Sequence, residues 1–334
     1  MKILCSGYHN PHFITITEYI ERAIEDLGHE LFVFDDRQHI IPGRLRRRIK
    51  FLNEFDLQLL NRLFISFALK VKPDIVLVTG GHRISAKAVR ILKAYHICTV
   101  LWTIDAPINF QSIINSAPFY HYIFCQGTEA IELLRNANIL GADWLPMGCD
   151  PKYHRPVELS SKEQAEYGHD IVFVGSYYPN RAELFKTLAD FDFGIWGPGW
   201  DKLEKGSRLQ SHIRAAHTSP AQWAKIYSAG KIILATHYQD PKNLIPVYQA
   251  SPRIFEAMAC GAFVISDSQP DVLSLFNNGE HLVRSCSTED LIKNIKYYLE
   301  DPFEREKIAE RGRQEALGKH TYVHRIKKLL SMVT

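Results

Sequence analysis

A chain of 334 residues is long enough for two domains of roughly 150 residues, each with its own core, and it excludes a short disulfide-stapled peptide. Its 46% hydrophobic and 23% charged residues are the composition of a globular protein rather than a disordered or fibrous one. Forty Lys plus Arg against 37 Asp plus Glu leave +3, too small an excess to point by itself to nucleic acid or a membrane surface.

In chain order, KILCSG (2–7) reads as a strand, and Phe13, Ile16, Ile20, Ile24 and Leu27 follow at spacings of three and four, a helix with one buried stripe. ELFVFDD is the second strand. DIVLVTGG (74–81), ICTVLWTID (97–105) and YIFCQG (122–127) are further strands, with a helix near 83–95 carrying Ile84, Ala88, Ile91, Leu92 and Tyr95. This alternation predicts repeated strand-helix units around a parallel sheet. The stretch 146–169 has three prolines, many polar residues and no period, as a domain connection should. The pattern then restarts: DIVFVGS (170–176), FGIWG (193–197), KIILATH (231–237) and AFVISD (262–267) read as strands, with helices near 180–190, 220–229 and 252–260. Leu291, Ile292, Ile295, Tyr298 and Leu299 make one later amphipathic helix, and Tyr322, Ile326, Leu329 and Leu330 another. The expected boundaries are 1–150 and 151–318 for two Rossmann-like domains and 319–334 for a last helix returning to the first. Ligands of open α/β sheets bind beyond the carboxyl ends of the strands, so site residues are sought there.

The six cysteines, Cys5, Cys98, Cys125, Cys149, Cys260 and Cys286, show no C-x-x-C pair and no Cys/His spacing suited to zinc. They read as small hydrophobes in a reducing compartment. No apolar stretch approaches the roughly 18 residues of a membrane span, and MKILCSGYHN has too short an apolar run for a signal peptide, so the expected location is cytoplasmic.

The segment SPRIFEAMACG (251–261) specifies a helix: Ser251 suits the N-cap, Pro252 the first turn and Gly261 the stop. A cationic Arg253 in its first turn opposes the helix dipole by roughly 0.3–1 kcal/mol unless an anion lies between them. FVGSYYPNR repeats the conflict: Asn180 with Glu183 resembles a capping pair that puts Arg181 in a first turn, after Gly175 and Ser176, which permit close backbone approach. An exposed arginine paired with an acid is the plainer alternative in each case. A bound diphosphate resolves both conflicts, and Glu256, one turn beyond Arg253, can then accept from a ribose diol.

SPRIFEAMACGAFVISD, DIVFVGSYYPNR, GIWGPGW, YYLEDPFEREKIAERG and HTYVHRIKKLL, spread over roughly 170–330, resemble the C-terminal half of the spore-maturation CgeB-like GT-B glycosyltransferases. In the first half VLWTIDAP resembles a W-x-x-DDP segment. The resemblance implies an α/β GT-B fold, with two Rossmann-like doubly wound domains facing each other across a cleft, the first binding an acceptor and the second a nucleotide-sugar donor. It further implies that Glu256 holds the ribose hydroxyls, that Arg253 and Arg181 lie near the diphosphate, that Gly175, Ser176 and Tyr177 form the loop approaching the donor, and that Gly197 and Trp200 line the same side. Tyr248 stands where the first glutamate of the Glu-x7-Glu pair of retaining relatives would be, which leaves the stereochemistry open.

Acceptor activation needs a base or orienting group at a strand end of the first domain. Asp105 after VLWTI is the first choice, with capping of the next turn as its alternative, and His82 after TGG is the second, with a surface turn as its alternative. His9 and Asn10 sit in the first strand-helix loop, which lacks a G-x-G-x-x-G pattern. RLRRRIK (44–50) reads as a solvated helix face, with contact to an acidic membrane surface or a phosphorylated acceptor as its alternative, and Phe55, Leu59, Leu63 and Phe67 as core or cleft wall, with a membrane-inserting face as their alternative. The function expected is transfer of a sugar from a UDP-, GDP- or dTDP-sugar to an unidentified glycan, small-molecule or protein acceptor, with Arg253 neutralising the leaving diphosphate. No metal, no cofactor beyond the donor and no nucleic acid are expected, and membrane contact at most peripheral. A nucleotide-sugar epimerase and an inactive GT-B scaffold are the alternatives.

Overall fold

The computed structural model describes residues 1–49, 51–104, 110–240 and 245–334. The chain divides into two units, one of Met1–Pro146 with Arg325–Thr334 and one of Met147–His324.

The first unit runs β1 (Lys2–Gly7), α1 (Ile16–Asp26), β2 (Glu30–Asp35), α2 (Gly43–Arg48), α3 (Phe51–Val71), β3 (Ile75–Thr79), α4 (Ala86–Ala94), β4 (Cys98–Thr103), α5 (Gln111–Ser116), β5 (Tyr122–Cys125), α6 (Thr128–Asn136) and β6 (Ala142–Trp144). Its six parallel strands are ordered β2-β1-β3-β4-β5-β6, so the chain reverses direction across the sheet between β1 and β3. Strand residues Leu4, Val76, Val78 and Leu101 pack with Leu60, Phe64, Ala88 and Leu92 of the helices in one core.

The second unit runs α7 (Ser161–Tyr167), β7 (Ile171–Val174), α8 (Pro179–Lys186), β8 (Phe193–Trp196), β9 (Ile213–Ala215), α9 (Pro220–Ala229), β10 (Ile232–Ala235), α10 (Pro252–Ala259), β11 (Val264–Asp267), α11 (Pro270–Leu275), β12 (Val283–Ser285), α12 (Thr288–Glu300) and α13 (Pro302–Lys319), and α14 (Tyr322–Val333) belongs to the first unit from Arg325 onward. Its parallel order β12-β11-β10-β7-β8-β9 reverses between β7 and β10. In open parallel sheets such reversals leave a crevice at the carboxyl ends of the strands.

Three expectations need correction. The 146–169 connection contains α7, because Ser160 and Glu163 form a capping box: the Ser160 hydroxyl accepts from the Glu163 N–H, and the Glu163 carboxylate from the Ser160 N–H. The first helix begins at Ile16 rather than Phe13, since Thr15 and Glu18 make the same box, and Phe13 lies exposed before it. Helix α3 buries Leu60, Phe64 and Ala68; of the stripe read as core or cleft wall, Phe67 packs half-buried against Phe34 and Leu59 is half-buried, whereas Phe55 and Leu63 are on the exposed side. Cys286 is likewise exposed, whereas Cys5, Cys125, Cys149 and Cys260 are buried, and all six thiols are free.

Candidate functional site

In the second unit the loops after β7 and β8 lock together through backbone contacts. Gly175 N–H donates to Trp196 O (2.7 Å), Tyr177 N–H to Pro198 O (2.9 Å) and Gly197 N–H to Ala215 O (2.8 Å). Gly197 has φ +135°, and a β-carbon there would sit on the Gly175 carbonyl, so only glycine allows this approach. A β-carbon at Gly175 would in turn collide with the Arg253 guanidinium, which crosses directly over that residue.

Two guanidinium groups converge on Phe173, next to last in β7. The Arg181 Cζ lies 5.1 Å and the Arg253 Cζ 5.0 Å from its ring centroid, within cation–π range. Their surroundings differ. Arg181 is 5% exposed and donates from Nε to Thr236 O (3.0 Å) and from Nη1 to Ser176 O (2.8 Å). Burial, reinforced by the like charge of Arg253, lowers its pKa to about 9. Arg181 therefore ties the β7 and β10 loops together through its Nε and Nη1 bonds to carbonyls. Arg253 is half-buried, and its Nη1 is enclosed without a hydrogen-bond partner among the described residues.

The start of α10 is held by a device that the sequence reading missed. Asp267, ending β11, accepts from His237 Nδ1–H (2.5 Å) and from the His237 backbone N–H (2.9 Å). His237 Nε2 then accepts the Ser251 N–H (3.0 Å), which fixes the neutral Nδ1–H tautomer. Ser251 occupies the N-cap position but makes no side-chain capping bond. With Ile254 N–H donating to Ser251 O (3.0 Å) and Pro252 carrying no N–H, the Arg253 N–H is the one in this first turn without a partner among the described residues. Arg253 thus offers an anion both a backbone and a side-chain donor. Burial pushes the Asp267 carboxyl up, but the adjacent His237 ring and the hydrogen bonds from its Nδ1–H and backbone N–H more than offset this and hold it below its ordinary value. The signal was present in the segments KIILATH and AFVISD, which hold β10 and β11 and end in His237 and Asp267.

Asn180 does not cap α8 with Glu183, as expected. Tyr178 is at the cap position with Pro179 after it, Asn180 Nδ2 donates to His237 O (3.1 Å), and Glu183 pairs with Lys186 (2.9 Å). Trp200, expected along the donor side, is 2% exposed, lies parallel to Phe185, and donates its indole N–H to Gly175 O (2.9 Å). It supports the loop from within the core. Tyr177 stands edge-on to Trp200 at 5.4 Å and is half-buried. Glu256 is 7% exposed, and its carboxyl makes no hydrogen bond among the described residues. Burial pushes its pKa up to about 7 despite the opposing charge of Arg253. Tyr248, in place of a glutamate, is half-buried and accepts the Asp271 N–H at its carbonyl (3.1 Å).

In the first unit Asp36, Thr79, Gly80, Gly81, His82 and Ile104 line a pocket at the ends of the central strands, together with Tyr8, Arg37 and Arg83. Gly80 and Gly81 have φ of +80° and +82°. His82 Nδ1 lies 3.0 Å from the Ser112 hydroxyl. Asp105, the first choice for a base, lies outside the described residues. A different carboxylate faces the pocket: Asp36 is 3% exposed, its Oδ1 has no hydrogen-bond partner among the described residues, and burial raises its pKa to about 6 against the pull of Arg37 and Arg83. His9 instead pairs with Glu21 (2.8 Å), and that hydrogen bond raises its pKa, favouring imidazolium. Among the described residues no group of three His, Cys, Asp or Glu side chains is placed to hold a metal ion.

Two parallel six-stranded α/β units define the GT-B glycosyltransferase fold, and the matches to known proteins agree with it. Residues 181–331 match the family model described as glycosyl transferase-like. The chain is 23% identical over 262 residues to Spore protein CgeB of Bacillus subtilis, covering 75% of this chain and 80% of that relative. Among solved structures it is similar to sucrose-phosphate synthase from Thermosynechococcus elongatus (TM-score 0.68, 12% identity, 99% of this chain and 98% of that one). It is also similar to Anabaena HepE in complex with UDP and glucose (TM-score 0.65, 14% identity, 99% of each chain). The likeness to CgeB-like glycosyltransferases read from the sequence is borne out, and the enzyme class is glycosyltransferase.

Two outcomes are expected. His237→Ala removes the ring donor from Asp267 and the acceptor from the Ser251 N–H, while the backbone bond to Asp267 stays, and should cost about 1–3 kcal/mol in urea unfolding; a loss below about 0.5 kcal/mol would mean that the contact carries little. Because native Glu256 holds its proton to about pH 7 while the unfolded carboxyl loses it near its ordinary value, stability should fall between those points as pH rises, by up to about 1.4 kcal/mol per pH unit. Glu256→Gln should flatten that fall, and an unchanged pH profile would show that Glu256 is already ionised.

Proposed function

We propose that the second unit binds a nucleoside-diphosphate sugar and that the enzyme transfers the sugar to an acceptor held by the first unit. One observation carries this reading: Arg253, whose N–H and enclosed Nη1 both lack partners among the described residues, stands at the start of α10 where glycines let it cross the β7 loop. A diphosphate accepts from both donors and relieves the conflict between a cation and the positive helix end. Glu256, one turn further on, is the partner for ribose hydroxyls, and the binding of UDP and glucose by the similar HepE supports a UDP-sugar over GDP- or dTDP-sugars.

The leaving diphosphate gains negative charge as the glycosidic bond breaks, and a preorganised guanidinium stabilises that charge without reorganisation of solvent. Transfer is then metal-independent. On the acceptor side the Asp36/His82 pocket offers a carboxylate poised near neutrality to orient or deprotonate a hydroxyl. A thermal-shift screen of UDP, GDP and dTDP with and without EDTA tests the proposal. One diphosphate should stabilise the protein, by about 2.7 kcal/mol at 100 times its Kd, with EDTA making no difference. Arg253→Ala should weaken that ligand about 10- to 150-fold while leaving the unliganded melting point close to wild type. No response to any diphosphate from folded protein would refute the donor site.

A further inference from the structure

Helix α3 has an apolar face that the fold leaves uncovered. Leu60, Phe64 and Ala68 are buried, while on the other side Phe51, Phe55 and Leu63 are 66%, 44% and 48% exposed. Just before them Ile40, Leu45 and Ile49 are 40%, 50% and 41% exposed. Single exposed leucines are ordinary, but six large apolar side chains between residues 40 and 63 form a surface that water does not favour. This surface is firmly mounted. Asp56 on α3 accepts the N–H groups of Ile40 (2.8 Å) and Ile41 (2.7 Å), fastening the preceding loop to the helix.

The charge around it decides what can cover it. Residues 40–70 hold seven Lys or Arg against two acids, Glu54 and the buried Asp56, a net +5 in a chain whose total is +3. Arg62 and Lys70 share the exposed side of α3 by helical spacing, and Arg44 is exposed on α2. A symmetric pair of copies meeting here would bring two such basic clusters together, which disfavours self-association. Nucleic acid would engage the basic groups but leave the aromatic and aliphatic side chains wet. A surface that is anionic outside and apolar beneath satisfies both.

We propose that this face docks the enzyme on an anionic lipid bilayer, with α3 lying in the interface, Phe51, Phe55 and Leu63 below the headgroups and Arg44, Arg62 and Lys70 among them. Among the described residues no helix is long and apolar enough to cross a membrane, so the contact is interfacial. It is independent of sugar transfer.

Flotation of the full chain with vesicles tests the proposal. The protein should float with vesicles of equal parts phosphatidylcholine and phosphatidylglycerol, not with phosphatidylcholine alone, and should be released by salt. The triple variant Phe51→Ser, Phe55→Ser, Leu63→Ser should stay in solution with the circular dichroism of wild type. Arg44→Glu with Arg62→Glu should lower partitioning more than about tenfold, and it tests the idea even if the serine variant misfolds. Failure of wild type to float, flotation undiminished in both variants, a lipid-free dimer broken by the serine substitutions, or duplex DNA binding that needs the arginines but not Phe51 and Phe55 would each overturn it.

Discussion

Two guanidinium groups rest on one buried phenylalanine with no carboxylate paired to either among the described residues, and most of the second unit's arrangement follows from how that is tolerated. Placing like charges together at strand ends is costly unless each finds donors' complements nearby. Arg181 finds them in two carbonyls, and its lowered pKa records the burial it still bears. Arg253 Nη1 does not find one among the described residues. One guanidinium is satisfied by carbonyls and the other keeps an enclosed nitrogen without a hydrogen-bond partner among the described residues, although the two look alike in sequence.

The poised arginine depends on its frame. Gly175 and Gly197 are there because backbone and guanidinium approach too closely for a side chain, and Trp200 holds the same loop from beneath through Gly175 O. The Asp267–His237–Ser251 chain of hydrogen bonds connects the ends of β10 and β11 to the first turn of α10. It sets where that helix begins, and so where Arg253 points. Rigidity of this kind is what allows a charged group to act on a ligand without first being reordered.

Much of the fold was legible because buried parallel strands are written as continuous apolar runs, and β1, β7, β8, β10 and β11 were found within a few residues of their ends. The edge strands β6, β9 and β12 have three residues each, too few to show a period, and α7 was hidden in a proline-rich stretch although its Ser160/Glu163 box was readable. At the site, Arg253 and Glu256 were singled out because a cation at a helix start and an acid one turn later are local features. Arg181 was noticed for the same reason but its partners, Thr236 O and Ser176 O, depend on tertiary placement and could not be read. Asp36, His237 and Asp267 were passed over since each ends or follows a strand as an unremarkable polar residue, and only the sheet order brings them to a pocket or to one another. Phe55 and Leu63 of the α3 stripe were misread for a related reason: helical spacing shows that apolar residues share a face, not which way that face turns.

The central claim is that Arg253 reads the second phosphate of the donor. Calorimetric titration of the best-bound nucleoside diphosphate and of its monophosphate, against wild type and Arg253→Ala, isolates that contact as a coupling. The account predicts a clear preference for the diphosphate in wild type that largely disappears in Arg253→Ala. An equal preference in both proteins would contradict it, and would place the diphosphate elsewhere in the second unit.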